Sequence, residues 1–131
     1  MTIVLGYVPT PQGEAALAAA IAEATAHGQR LLAVNMSRDD KLVDASRAGE
    51  EDLGRLRARL TGSGVEHELR RIEHGSDAAE QILALLASEQ ARMLVIGLRH
   101  RTPVGKLLLG STAQRLLLEA PCPVLAVKAA G

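Results

Sequence analysis

Short apolar runs alternate along this chain with longer stretches of helical periodicity, and this alternation limits the folds open to it. The runs are too short for helices and rich in Val, Ile and Leu, which is typical of strands buried on both faces. Strands that alternate with helices form a parallel sheet with helices on both faces. The sequence therefore predicts one doubly wound α/β domain over residues 1–131, with five strands in the order 3-2-1-4-5.

The bounds of the predicted elements follow from this periodicity and from the glycines and prolines between the runs. The strands cover residues 2–8, 31–36, 65–73, 93–97 and 124–128. The helices cover residues 12–26, 45–60 and 111–119, and a further helix begins at Ser76 and Asp77. Residues 37–44 are predicted to form a loop, and the polar third strand is expected near a sheet edge. Gly28 is expected to end the first helix.

Composition excludes several classes of protein. The chain has 131 residues, no Trp, no Phe and one Tyr, so its single core must be aliphatic. Its formal net charge is zero, and there is no global field to attract nucleic acid or an acidic membrane surface. No run approaches the roughly 18 apolar residues of a membrane span. We therefore expect no nucleic-acid and no membrane partner.

Cysteine usage and the N-terminal sequence indicate the compartment. Cys122 is the only cysteine, so an intramolecular disulfide cannot form. The N-terminal sequence MTIVLGYVPT lacks the basic start and long apolar run of a signal peptide. Both features predict a cytoplasmic protein.

The basic stretch GLRHRTPVGKLLLGST, residues 97–112, is the most suggestive candidate for a phosphate-binding loop. In a doubly wound sheet, ligands bind beyond the carboxyl ends of the strands, where this stretch is predicted to lie. A Walker-type loop is excluded, because His100 stands where that motif has its first glycine and Leu107 where it has Ser or Thr. A dinucleotide fingerprint is excluded as well, since residues 7–11 contain no glycine.

Two interpretations of the end of this stretch remain open. Free backbone N–H groups and the positive dipole end at a helix start near Gly110, Ser111 and Thr112 would favour an anion. Arg99, Arg101 or Lys106 would add positive charge. Alternatively, Ser111 and Gln114 have the spacing of a capping box, which would satisfy the helix start without a ligand.

Two segments resemble the universal stress protein family. They are VIGLRHRTPVGKLLLGSTAQRLLLEAPCPVLAVK near the C-terminus and IVLGYVPTPQGEAAL near the N-terminus. Nucleotide-binding members carry Gly-x-x-Gly, nine residues, then Gly-Ser or Gly-Thr. Gly97, Gly110 and Ser111 match this pattern, whereas His100 replaces the second glycine. Val8 stands where the family commonly has an Asp after the first strand.

The resemblance implies an adenine nucleotide alpha hydrolase-like fold and a stress-response regulatory module that binds ATP in the loops after strands 1, 2 and 4. It also implies a homodimer formed through the last strand, Val124–Val127. The nucleotide-binding positions that it implies are Tyr7, Val8, Pro9, Thr10, Val34, Gly97, Arg99, His100, Gly110, Ser111 and Thr112.

No catalytic constellation is encoded in the sequence. Asp39 and Asp40 are interpreted as solvated surface, and Cys122 as a small apolar residue rather than a nucleophile. His67 and His74 have no metal-site spacing with Cys122. We therefore predict no enzyme and no metal site. The alternative to nucleotide binding is a member of the same fold that acts as a protein-interaction module through its basic loop.

Overall fold

A computed structural model describes residues 1–36, 42–72, 77–98 and 110–129, with residues 42–49 described by their backbone. The strands in these residues are β1 (Thr2–Tyr7), β2 (Arg30–Asn35), β3 (His67–Arg71), β4 (Met93–Leu98) and β5 (Val124–Lys128). The helices are α1 (Pro11–His27), α2 (Leu42–Ser63), α3 (Ala78–Ser88) and α4 (Ser111–Glu119). The order of strands and helices along the chain is the predicted one.

The five strands form one parallel sheet in the order β3-β2-β1-β4-β5, which confirms the predicted topology. β1 lies at the centre, where Ile3 pairs with both Leu31 of β2 and Met93 of β4. β3 is an edge strand, as its polar composition predicted. The winding direction reverses at β1, so the crevice beyond β1 and β4 is where such a sheet binds ligands.

Two aliphatic cores cover the two faces of the sheet. Residues of β1 alternate between them, because successive side chains of a strand point to opposite faces. Ile3, Leu5 and Tyr7 join the core formed with α1 and α2, whereas Val4 joins the core formed with α3 and α4. Within the described residues, no helix is long and apolar enough to cross a membrane.

Several predicted bounds differ from the observed ones by one residue, and those of α2 and β3 differ by more. α2 begins at Leu42, within the predicted loop, and continues beyond residue 60 to Ser63. Leu42 and Val43 follow the polar stretch of residues 37–41 and were included with it in the predicted loop. Gly64 follows the last residue of α2, and its φ of 75° is the left-handed conformation that favours glycine. β3 is shorter than predicted, because its pairing with β2 covers only residues 67–71.

The start of α1 is fixed by a tight turn after β1. Thr10 is the N-cap and its hydroxyl accepts a hydrogen bond from the Gly13 N–H at 3.0 Å, while Pro11 occupies the first helical position. A Cβ on Gly13 would lie 1.7 Å from the Val8 carbonyl oxygen, so the turn closes only with glycine there. At the other end, Gly28 adopts the left-handed conformation, as predicted.

Ion pairs join the elements at the amino ends of the strands. Arg30, at the start of β2, lies 3.2 Å from Glu68 of β3 and 3.7 Å from Glu89 at the end of α3. Arg92 precedes β4 and lies 3.0 Å from Glu23 of α1. These five residues are called the amino-end ion pairs below. They lie at the amino ends of the strands, whereas the turn after β1 lies at the carboxyl ends.

The glycines of the two helices that cover the first core should respond in opposite directions to alanine. Gly13→Ala should lower the free energy of unfolding by about 1–3 kcal/mol, because its methyl group meets the Val8 carbonyl. Gly54→Ala, inside α2 with no described atom within 4 Å of the new Cβ, should raise it by about 0.5–1 kcal/mol. Urea unfolding of both variants tests this, and a Gly13→Ala protein of unchanged stability would contradict the tight turn.

Candidate functional site

A cleft of about 360 Å³ opens at the carboxyl ends of β1 and β4, where the winding of the sheet reverses. Its size falls within the usual range for small-molecule sites. The first turns of α1, α3 and α4 contribute to its walls, together with the ends of the central strands. The described lining residues are Val8, Thr10, Gln12, Met36, Ala78, Ile96, Gly97, Leu98, Gly110, Ser111, Thr112, Ala113 and Leu116.

Gly97 forms the contact between the end of β4 and the start of α1. A Cβ at this position would lie 2.4 Å from the Gln12 carbonyl oxygen and 3.1 Å from the Gln12 Cβ. Backbone therefore packs directly on backbone, and no larger residue fits without moving α1. Gly97 lines the cleft as predicted, but the fold itself already requires a glycine there.

The start of α4 has no side-chain cap among the described residues. Gly110 is the N-cap, with φ −65° and ψ 158°, and the Gln114 N–H donates to its carbonyl at 2.9 Å. The capping box proposed for Ser111 and Gln114 is therefore wrong, because Ser111 already occupies the first helical position. The N–H groups of the first turn have no partner within the helix and lie at the cleft.

Gly110 differs from Gly97, because the described residues around it leave room for a side chain. Its φ is one that any residue adopts, and a Cβ there would meet no described atom within 4 Å. Neither backbone conformation nor packing against the described residues explains a glycine at this position. Within the described part of the chain, no atom fills the space that a side chain would take beside the first turn of α4.

The other two helices that begin at the cleft are capped by side chains. Thr10 caps α1, and the Asp77 Oδ1 accepts hydrogen bonds from the Ala79 and Glu80 N–H groups at 2.9 and 3.4 Å in α3. The Arg115 Nη1 of α4 lies 3.3 Å from the Asp77 Oδ2. This ion pair joins α4 to the start of α3, so the two helices approach the cleft side by side.

The structure brings together six of the predicted nucleotide-binding residues. Residues that follow β1 meet residues at the end of β4 and at the start of α4 in the cleft, as predicted from the position of the winding reversal. The six are Val8, Thr10, Gly97, Gly110, Ser111 and Thr112. Arg99 and His100 lie outside the described residues, as do Arg101, Lys106, Ser76, His74, Asp39 and Asp40.

Three predicted residues do not line the cleft. Pro9 lies in the turn after β1 but is absent from the lining, and Val34 is 1 % exposed within the second core. Tyr7 is 2 % exposed and faces α1, where its hydroxyl donates to the Glu14 Oε1 at 2.5 Å. Burial, together with the Glu14 carboxylate, raises the pKa of the Tyr7 hydroxyl well above its ordinary value. The Tyr7 side chain therefore belongs to the core on the opposite face.

The structure also adds residues that the sequence reasoning missed. Met36 lines the cleft two residues beyond Val34, on the same side of the strand. Strand periodicity could have identified it, since the rim of a site lies at the last residue of that face. Gln12, Ala78, Ile96 and Leu116 carried no recognisable motif and are brought to the cleft by packing alone.

The described lining of the cleft carries no charged side chain. Its polar side chains are the hydroxyls of Thr10, Ser111 and Thr112 and the carboxamide of Gln12. In the described part of the chain, no three His, Cys, Asp or Glu residues cluster as metal ligands. Cys122 packs against the second core, and burial raises the pKa of its thiol, which suits the apolar role predicted for it.

Comparison with known families identifies relatives of this chain. A sequence model of the universal stress protein family matches residues 1–128. A universal stress protein of Mycolicibacterium smegmatis is 50% identical over 129 residues, covering 98% of each chain.

Solved structures give the same result for the fold. A universal stress protein from Archaeoglobus fulgidus superposes with a TM-score of 0.79 at 26% identity, covering 97% of each chain. The A. fulgidus structure in complex with dAMP has a TM-score of 0.74 at 22% identity, over 97% of this chain and 96% of that one. A universal stress protein in complex with cAMP has a TM-score of 0.72 at 21% identity, over 99% and 98%. Identities this low show a shared fold alone.

The two glycines of the cleft should differ sharply in their tolerance of alanine. Gly97→Ala should lower the free energy of unfolding by about 1–3 kcal/mol, because the methyl group meets the Gln12 carbonyl. Gly110→Ala should lower it by only about 0.5 kcal/mol, the loss expected when alanine replaces glycine at an N-cap. Denaturant unfolding measures both, and equal losses would contradict the distinction drawn between the two positions.

Proposed function

The chain belongs to the universal stress protein family, and we propose that it is a cytoplasmic regulatory module that binds an adenine nucleotide, ATP, in the cleft beyond β1 and β4. The nucleotide acts as a signal rather than as a substrate for rapid turnover. Related folds have been solved with dAMP and with cAMP, which share adenine and at least one phosphate with ATP.

The uncapped start of α4 is the observation that carries this proposal. The first N–H groups of a helix hydrogen-bond readily to a phosphate, and the helix dipole favours its negative charge. At α4 no described side chain occupies these groups, and no described atom lies within 4 Å of the position that a Cβ on Gly110 would take. The Ser111 and Thr112 hydroxyls line the same cleft and add two further donors.

The apolar part of the cleft suits the base and ribose of a nucleotide. Val8 and Met36 lie at the ends of the two strands next to the winding reversal, and Ile96 lies below them on β4. Flat apolar surface of this kind covers the face of a purine, while a few polar groups fix its orientation. In this proposal, the adenine lies at the Val8 and Met36 side and the phosphates lie at the α4 side.

A protein that acts only by binding a nucleotide does not need catalytic groups in its cleft. No carboxylate, imidazole or thiol belongs to its described lining, so these residues offer neither a general base nor a metal ligand. What the residues do is bind and orient the ligand by neutral donors and apolar contacts. Hydrolysis at this cleft is therefore expected to be slow or absent.

An interaction module that binds no nucleotide is the second candidate. His100 and Val8 favour it, because both depart from the pattern of nucleotide-binding members. A glycine at residue 100 would allow close backbone approach to a phosphate, and an Asp at residue 8 would supply an acceptor for the nucleoside. The two candidates differ in one measurable property, which is the affinity of the unmodified protein for ATP.

Gly110→Asp should stabilise the protein and weaken nucleotide binding. The new carboxylate would cap α4 as Asp77 caps α3, raising the free energy of unfolding by about 0.5–1 kcal/mol. It would occupy the N–H groups proposed for phosphate and repel the ligand, so the affinity for ATP should fall by about tenfold or more. Isothermal calorimetry and thermal unfolding of the same preparation test both effects.

Gly54→Asp is the matched control, since it adds the same charge at an exposed glycine of α2. It should leave the affinity for ATP unchanged. Absence of heat when the unmodified protein is mixed with millimolar ATP would refute the nucleotide proposal and favour the interaction module. A protein of one Tyr and no Trp absorbs weakly at 280 nm, so a co-purified purine would dominate its spectrum.

We further propose a homodimer formed along the free edge of β5, Val124–Val127. β5 is the last strand of the sheet, and unpaired N–H and C=O groups on a strand edge favour pairing with a second chain. Leu125 and Val127 pack against the first core and Val124 and Ala126 against the second. The side chains are thus committed to the cores, and the backbone edge is the part left for a partner.

Ala126→Pro should give a monomer without disturbing the sheet. The Leu94 N–H donates to the Pro123 carbonyl at 3.0 Å, so residues 123, 125 and 127 face β4 and the Ala126 N–H faces outward. Proline is tolerated at such edge positions, where it removes a donor and blocks strand addition. Ala126→Ser retains the N–H and should remain dimeric. Sedimentation equilibrium at micromolar concentration distinguishes the two, and a dimeric Ala126→Pro protein would exclude pairing along β5.

A further inference from the structure

Gln12 is a polar residue of the cleft to which the fold gives no other task. It lies in the first turn of α1, after the Thr10 cap, and it is half-buried where it lines the cleft. No described residue hydrogen-bonds to its carboxamide, whereas the Thr10 hydroxyl is already engaged by the Gly13 N–H. A side-chain amide held in a largely apolar cleft is favoured only if it finds a partner there.

The position of Gln12 is fixed unusually firmly by the backbone contact with β4. A Cβ on Gly97 would lie 2.4 Å from the Gln12 carbonyl oxygen and 3.1 Å from the Gln12 Cβ, so a methyl group would not fit there. The first bond of the Gln12 side chain therefore starts at the carboxyl end of β4. The start of α4 contributes to the same cleft, so the carboxamide and the uncapped N–H groups border one space.

We propose that the Gln12 carboxamide donates a hydrogen bond to a phosphate oxygen of the bound nucleotide and so serves as a binding residue. This inference rests on the proposed function of the cleft. A carboxamide supplies two N–H donors without a formal charge, and a hydrogen bond to a charged acceptor is stronger than one between neutral groups. Gln12 would act from the α1 side of the cleft, while Ser111 and Thr112 act from the α4 side.

Replacing the carboxamide by an apolar group of similar length tests this assignment directly. Gln12→Met removes both donors with little change in volume, so the affinity for ATP should fall by about tenfold. The affinity for adenosine, which has no phosphate, should change by less than about twofold, because the donors face the phosphate. Calorimetry with each ligand separates a phosphate contact from a nucleoside contact.

A charged variant provides a second test that does not depend on a loss of stability. Gln12→Glu places a carboxylate in the first turn of α1, where the helix dipole favours it, so the melting temperature should not fall. The same carboxylate repels phosphate, and ATP binding should be weaker than in Gln12→Met while adenosine binding persists. Gln114→Glu, with the same charge on an exposed residue of α4, is the matched control and should weaken ATP binding much less.

The outcomes distinguish this inference from the function on which it rests. No ATP binding by the unmodified protein overturns the proposed function and the role of Gln12 together. ATP binding that is equal in the unmodified protein and in Gln12→Met overturns the role of Gln12 and leaves the proposed function intact. Parallel weakening of ATP and adenosine overturns the phosphate assignment, because Gln12 would then contact the nucleoside.

Discussion

The backbone at the start of α1 packs closely against the backbone at the end of β4. This contact determines the geometry at the carboxyl ends of the strands. The Gln12 carbonyl lies against the Cα of Gly97, and the Cα of Gly13 lies against the Val8 carbonyl. Two glycines without side chains allow α1 to begin directly above the central strands. The distance between the start of α1 and the end of β4 is consequently set by backbone packing, and both contribute to the wall of the cleft.

Among the described residues, three helices contribute their first turns to this cleft, and they differ in how their first N–H groups are satisfied. α1 and α3 satisfy their first N–H groups internally, through Thr10 and Asp77, so these two helices are complete without a ligand. α4 begins at Gly110 with no described side chain in that role. Arg115 nevertheless holds α4 against the cap of α3, so its uncapped start keeps a defined position. In the proposed function, an anion bound at this helix start would be held by oriented backbone dipoles.

The sequence predicted the topology well because the information for it is local. Apolar runs such as residues 93–97 are long enough to identify buried strands, and β5 and α4 were predicted with their observed bounds. The parallel order then followed from the alternation of strands and helices. The start of α2 was missed, because Leu42 and Val43 directly follow the polar stretch of residues 37–41 and carry no capping or periodicity signal that separates them from it.

The site was predicted less completely, because lining a cleft depends on which face of a strand a residue occupies. Tyr7 and Val34 both lie next to loops in the sequence. Tyr7 nevertheless faces the core on the other side of the sheet, and Val34 is buried beneath the residues that line the cleft. Met36 and Gln12 have no motif and reach the cleft through strand parity and helix packing. The distinction between Gly97 and Gly110 also required three-dimensional contacts, since both match the same family pattern.

The amino-end ion pairs make the amino ends of the strands chemically different from their carboxyl ends. At the amino ends, charged side chains join three elements through Arg30, Glu68 and Glu89. At the carboxyl ends, the described part of the cleft is lined by neutral groups. Salt screens interactions between exposed charges far more than contacts between packed backbones. Substitutions among these arginines and glutamates should therefore change how the stability of the domain depends on salt, while the backbone packing beside the cleft is left unaltered.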